Sequence, residues 1–243
     1  AVTDPTQLIQ GKAPGVNISK RGGDPTVFNE VLIRGVSSYN KTKPLYIIDG
    51  IWDADPNMLN PLEIETFEIL KDAAETALYG SRGANGVVII NTKTYKGDKP
   101  FSVDFDSWLS FNTQAKKLDL LSGDQYRDFF QENNLQYSFI DGGANTDWQK
   151  EVFQNTVSYN LSLAAQGKIQ NTTYRLGVSQ TFNDGLIPES NRSNVGLSLN
   201  LGQTLLKERV KIILHANYSQ PKEELIPEYE GRSQANLMYN TLT

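Results

Sequence analysis

Five stretches in the second half of this 243-residue chain alternate apolar and polar residues with a two-residue period, which leaves few folds open. Phe101–Phe111 sets Phe101, Val103, Phe105, Leu109 and Phe111 against Asp104 and Asp106. Val157–Ala165 sets Val157, Tyr159, Leu161, Leu163 and Ala165 against Ser158, Asn160 and Ser162. Thr172–Phe182 sets Tyr174, Leu176, Val178 and Phe182 against Arg175, Ser179 and Thr181. Val195–Leu201 and Val210–Tyr218 repeat the scheme, with Ser198, Asn200, Lys211, His215 and Asn217 on the polar side. Each stretch has roughly the 9–11 residues of a tilted strand crossing a bilayer. A soluble β-sandwich alternates too, so the connections carry the next step. They run long (112–156), short (166–171), medium (183–194) and short (202–209), and long again after Ser219. Such a rhythm fits an outer-membrane barrel with large outer loops and short periplasmic turns. It makes the first strand rise from the periplasm and puts 112–156 outside the cell. Five strands do not close a barrel, and an open edge in lipid leaves backbone groups unsatisfied. Either the native chain continues well past Thr243, or the strands do not lie in a membrane.

Composition removes several classes. Mean hydropathy is −0.44 and no apolar run approaches a membrane-spanning helix, which is compatible with alternating barrel strands. A net charge of −5 argues against nucleic acid as a partner. With no cysteine and one histidine, disulfides, thiol nucleophiles and Ser/His or Cys/His catalysis lack raw material. Carboxylates are plentiful but nothing sets a catalytic pair apart, so no enzyme and no cofactor are expected. Ala1 opens without a signal peptide or initiator methionine, which reads as a processed or excised start.

Residues 1–97 follow a different rule. Short β-branched runs at Val31–Ile33, Leu45–Ile48, Phe67–Leu70 and Val87–Ile90 are bounded by Gly, Pro or Asn and read as buried strands. Asp72–Tyr79 reads as a short helix with Asp72 as its cap and Gly80 as its stop. Thr6–Ala13 reads as another, ended by Pro14 and Gly15. The fold class expected is an α+β domain over 1–97, followed over 98–243 by antiparallel strands of an incomplete transmembrane β-barrel.

Four blocks of the first domain carry a resemblance. They are Leu8–Val16 (LIQGKAPGV), Ile33–Gly35 with Pro44–Gly50 (IRG, PLYIIDG), Ile64–Ala74 (IETFEILKDAA) and Tyr79–Val88 (YGSRGANGVV). In order and spacing they resemble the plug of SusC/RagA-type TonB-dependent outer-membrane transporters; the likeness is close over 8–95 and loose beyond. The motif positions are Gly35, Asp49, Gly50, Lys71, Asp72, Tyr79, Gly80, Gly83 and Gly86. The resemblance implies a plug inside a large barrel in outer-membrane lipid, gating import of a glycan or peptide. It implies a SusD-like surface lipoprotein as lid and TonB as the energising partner. The family's N-terminal regulatory-like domain, its TonB box and the rest of the barrel are not found among these residues, so the fragment alone is not expected to transport. The resemblance further suggests that Arg34 and Arg82 meet acidic groups on the inner barrel wall; a weak local surface pair is the alternative.

Other features resolve toward plain structure. Gly80, Gly83 and Gly86 lack the Lys-Ser/Thr ending of a phosphate loop and follow a helix instead of opening one, so turn geometry accounts for them. Asp49, Asp53 and Asp55 share a loop without the spacing of a calcium site, and no metal is expected. Trp52, in that loop, packs or touches ligand. His215 falls on the polar face of the fifth strand. The loop 112–156 is aromatic, and Leu118–Asn133 has the pattern of an amphipathic helix. The competing reading of the whole chain is a soluble binding module whose later strands form a sandwich.

Overall fold

The computed structural model describes residues 4–19, 25, 27–33, 43–135, 141–206 and 209–224. Arg34 and Gly35 lie outside the described residues.

The N-terminal body is built on two strands, β3 (Leu45–Ile48) and β6 (Val87–Thr92), which pair in parallel with Leu45 opposite Val87. Parallel strands covered on both faces read as continuous apolar runs, which is why LYII and VVII show no alternation. β4 (Ile51–Trp52) and β5 (Ile64–Leu70) flank the pair antiparallel, giving the order β4-β3-β6-β5. One face holds Ile48, Val88 and Ile90 against Val31 and Ile33 of β2 (Glu30–Ile33). β2 pairs antiparallel with β1 (Val16–Ser19) as a separate ribbon. The other face buries Leu45, Ile47 and Val87 against Leu70 and Tyr79.

Of the two expected helices, the second forms as a single α turn and the first only as a 3-10 turn. α1 covers only Ala73–Thr76; a 3-10 turn continues over Ala77–Gly83, with Gly80 out of helical geometry at φ 58°. Asp72 stands at the N-cap, yet its side chain makes no capping hydrogen bond. The first segment is a 3-10 turn over Pro5–Ile9, capped by Asp4, and Gly11 and Gly15 take positive φ after it. Gly86 needs to be glycine twice over: φ is 92°, and a Cβ there would lie 2.7 Å from Ile33 Cδ1.

The second half is one antiparallel sheet in strict chain order: β7 (Ser102–Asn112), β8 (Thr156–Ile169), β9 (Thr172–Asp184), β10 (Asn191–Leu205) and β11 (Val210–Glu224). All five expected strands are present. Most run past the alternating core, and β11 continues to Glu224, beyond the end expected at Tyr218. The connections that leave Asn112 and Asp184 start at one end of the sheet, where Gln154 N–H donates to Leu186 O. The connections that leave Ile169 and Leu205 start at the other. In the long loop, α2 (Gly123–Glu132) carries a full capping box between Ser122 and Gln125, and α3 (Trp148–Val152) is capped by Asp147. Lys150 N–H donating to Asp147, and the charge of Lys117 beside it, hold that carboxyl below its usual range.

The sheet has two unlike faces. Phe105, Leu163, Val178, Leu197 and Tyr218 form one transverse row of the exposed face, in register across all five strands. Tyr159 and Phe182 pair near the long-loop end with ring centroids 5.5 Å apart. Tyr174 lies toward the other end, its hydroxyl donating to Pro100 O. The opposite face is small and polar and is turned to the N-terminal body: Asn160, Ser162, Arg175, Ser179, Thr181, Ser198 and Asn200 are all buried.

Candidate functional site

The seam between body and sheet is the most organised polar region of the molecule. A 3-10 turn, Pro61–Glu63, presents the body to the sheet. Asn60 caps it by accepting Leu62 N–H at 2.9 Å, and Pro61 has the fixed φ that opens such a turn. The remaining Asn60 valences cross the seam. Its amide donates to Asn160 Oδ1 at 2.8 Å, and Asn160 donates back at 2.9 Å.

Three residues on, Glu63 enters a ring of donors from the sheet. Arg175 Nη2 donates to both carboxylate oxygens at 3.2 Å. Ser162 Oγ donates to Oε1 at 2.7 Å and Ser198 Oγ to Oε2 at 3.3 Å. The two charged side chains are only 7% and 2% exposed. Arg175 Nη1 turns the other way, to Gln166 Oε1 at 2.8 Å and Asp104 Oδ2 at 3.2 Å. A buried ion pair survives when its remaining valences are met, and Glu63 meets that condition on both oxygens. Gly177 makes room for it. A Cβ there would stand 2.4 Å from Ser198 Oγ and 3.3 Å from Glu63 Oε2. Gly177→Ala is thus expected to turn Ser198 off the carboxylate and to cost about 1–3 kcal/mol, read as a lowered Tm of the full-length protein.

Two further contacts flank this centre. Asp49 accepts Thr92 N–H and Thr92 Oγ–H, each at 2.8 Å, so it ties the β3–β4 turn to the end of β6. Asn200 donates to Lys93 O at 2.9 Å and meets His215 Nδ1 at 2.6 Å, which leaves His215 3.9 Å from Asp49. Toward the long-loop end, Arg192 lies over the Phe28 ring at 3.9 Å and donates to Asn57 O at 3.3 Å.

Apart from Asp49 and His215, the residues that the sequence marks sit elsewhere. Arg82 pairs with Asp53 at 2.7 Å, both in the N-terminal body and 60% and 62% exposed, a geometry worth about 0–1 kcal/mol. Among the described residues no carboxylate of β7–β11 pairs with it. Trp52 is 45% exposed and packs tilted against Tyr79, ring centroids 5.5 Å apart. Lys71 donates to Pro14 O at 3.2 Å. Asp49 and Gly50 are the two central residues of the β3–β4 hairpin, both with positive φ. Asp55 caps the turn Pro56–Met58 through Asn57 N–H, so each loop aspartate has a structural task. Gly83 packs under the turn, where a Cβ would meet Thr76 O at 2.8 Å. Asn60, Glu63 and Arg175 were not singled out. Asn60-Pro61 was readable as a cap, and Arg175 as a large cation on an otherwise small face.

Residues 1–87 match the family model described as the TonB-dependent Receptor Plug Domain. SusC, a TonB-dependent receptor of Bacteroides thetaiotaomicron, is 34% identical over 233 residues, which take in 90% of this chain. The chain belongs to the SusC/RagA-type TonB-dependent receptors. The receptor P3 of Formosa agariphila is 35% identical over 214 residues, or 86% of the chain. The chain spans 23% of SusC and 20% of P3, about a fifth to a quarter of these curated relatives. The structure of the RagAB peptide importer in its closed-closed state superposes with a TM-score of 0.83 at 23% identity, covering 99% of this chain and 31% of that one. The siderophore receptor PirA of Acinetobacter baumannii superposes at 0.56 and 19% identity, covering 97% and 31%. At these identities the two structures speak for the fold: a plug followed by the opening strands of a barrel wall.

Proposed function

We propose that the chain is the gate-bearing portion of an outer-membrane importer of oligosaccharides or peptides, with residues 1–97 as gate and residues 98–243 as the first wall strands. The observation that carries this reading is the seam. Asn60 and Glu63 hold the plug to the inner wall by polar contacts, while the outward face offers lipid an apolar band. A seal made of hydrogen bonds can open into water, because each lost bond is replaced by hydration and the net cost per bond is small, about 0.5–1.5 kcal/mol. In this reading the loop 112–156 faces outward under a SusD-like surface lipoprotein, and TonB draws on the plug from the periplasm. Arg82 beside Asp53, together with Arg34, is proposed to meet wall strands other than β7–β11, and exposed Trp52 to meet ligand. No catalytic step is assigned to the chain.

The test joins plug to wall. Cysteines at 60 and 160 in the full-length transporter, linked by a short thiol-specific cross-linker, are expected to stop uptake of the glycan or peptide whose use depends on the gene. Cleaving the linker should restore it. Uptake by the linked protein at the unlinked rate would defeat the gating proposal.

A further inference from the structure

Glu63 reports on the chemistry of the wall behind it. The plug contributes one carboxylate; the wall contributes every donor that carboxylate receives from across the seam: Arg175 Nη2, Ser162 Oγ and Ser198 Oγ. Arg175 is held in place independently of the plug, because Nη1 is bound to Gln166 and Asp104 and Gln166 in turn donates to Asp104 at 2.6 Å. Gly177 keeps the floor open. One donor is left over: Arg175 Nε is buried and has no hydrogen-bond partner among the described residues. Nε and Nη2 form the side edge of the guanidinium, the fork that takes a carboxylate through two parallel bonds. Glu63, tethered to the plug, engages Nη2 alone.

We propose that this wall pocket is a carboxylate-binding subsite, occupied by Glu63 while the plug is seated and offered to a carboxylate of the cargo once the plug moves. The inference rests on the gating reading and deepens it. A carboxylate arriving on cargo can take the Nε–Nη2 fork and both serine hydroxyls. It takes over the Nη2 and serine donors that the departing Glu63 carboxylate releases. Asp104 does not compete for the pocket, since it lies on the Nη1 side and is nearly half exposed. Two cargo classes bear such a group, acidic sugars and peptide C-termini. The shared requirement is a planar carboxylate on a slender stem.

The experiment empties the pocket and refills it. In the full-length, purified transporter, Glu63→Gly should be stabilised by millimolar propionate, with Tm rising by a few degrees, and not by the isosteric neutral propionamide. Adding Arg175→Met to Glu63→Gly should abolish the rise. Galacturonate and N-acetylglycine in place of propionate then separate the two cargo classes by which of them raises Tm. Equal effects of propionate and propionamide, or a propionate effect that persists in the double variant, overturn the subsite. A response to propionate with none to either larger acid overturns its assignment to cargo. If Glu63→Gly gives no folded protein, Glu63→Ser is the second background; failure of both to fold when propionate is supplied during refolding counts against the pocket. The gating proposal fails separately: a cross-linked plug that still permits uptake, with propionate still raising Tm, leaves the subsite standing alone.

Discussion

Glu63→Ala in the full-length receptor is expected to cost about 3–5 kcal/mol, far more than any exposed ion pair in this chain, because it strands Arg175 in a buried setting. Asp104 still touches Nη1, so the lower end of that range is the expected value. Arg175→Met alone leaves the Glu63 carboxylate with only two serine hydroxyls from the wall and should cost a similar amount. The double variant Glu63→Leu with Arg175→Met removes both charges and keeps apolar volume. It should recover most of the loss, since an apolar pair of similar size often matches a buried ion pair. The measurement is a double-mutant cycle on denaturant unfolding, followed by protease susceptibility of the plug. A coupling well above the scatter of independent sites, about 0.3–0.5 kcal/mol, is expected. Simple additivity would mean that the two charges do not depend on one another, and the seam would lose its centre.

The second large effect concerns the other face of the same wall. Val178 sits in the middle row of the apolar face, between Leu163 and Leu197. Val178→Arg should destabilise the inserted barrel by about 2–4 kcal/mol, the penalty for a cation near the bilayer midplane. Ser193 lies opposite Phe182, four residues further along β9 and roughly 13 Å away at strand rise. Ser193→Arg should cost only about 0–1 kcal/mol, as it does near an interface. The pair separates membrane wall from soluble sandwich. In lipid the cost falls with distance from the middle row. In a sandwich it follows packing against a second sheet and should show no such gradient along the strand. Folding yield into detergent or vesicles of the full-length variants, compared at the two depths, gives the answer.

How much of this was legible in the sequence depended on whether a residue's neighbours or its distant partners decide its place. The wall strands were legible because the sheet imposes its period on every residue that faces lipid. Their ends were not, because Gln166–Ile169 and Asn191–Asn194 lie where that pressure stops and polar residues pair just as well. The plug strands β3 and β6 were legible from unbroken apolar runs, since they are covered on both faces. Gly80, expected to stop the helix, instead kinks a 3-10 segment that follows α1 from Ala77 to Gly83, where packing under Tyr79 and Val87 decides, which local propensity does not see. The seam centre was hidden for a different reason. Glu63 and Arg175 are 112 residues apart, and the sequence offers many carboxylates and no mark of which one is buried. At the seam with β7–β11 the carboxylate belongs to the plug and the guanidinium to the wall.

The neighbour-to-neighbour order of β7 to β11 also governs how the molecule is assembled. Each strand from β9 onward finds its template in the strand made just before it, across a turn of two to six residues, so loop closure costs little and the wall can grow by successive hairpins. The bonds at the centre of the seam close loops of 100 residues or more: Asn60 with Asn160, Glu63 with Arg175, Asn57 with Arg192. Contacts of such high sequence separation form late. Docking of the plug is therefore expected to wait until β8, β9 and β10 are in register. A chain stalled before β10 would carry a folded plug with Ser198 missing from its socket, and an unpaired strand edge open to any other extended segment nearby.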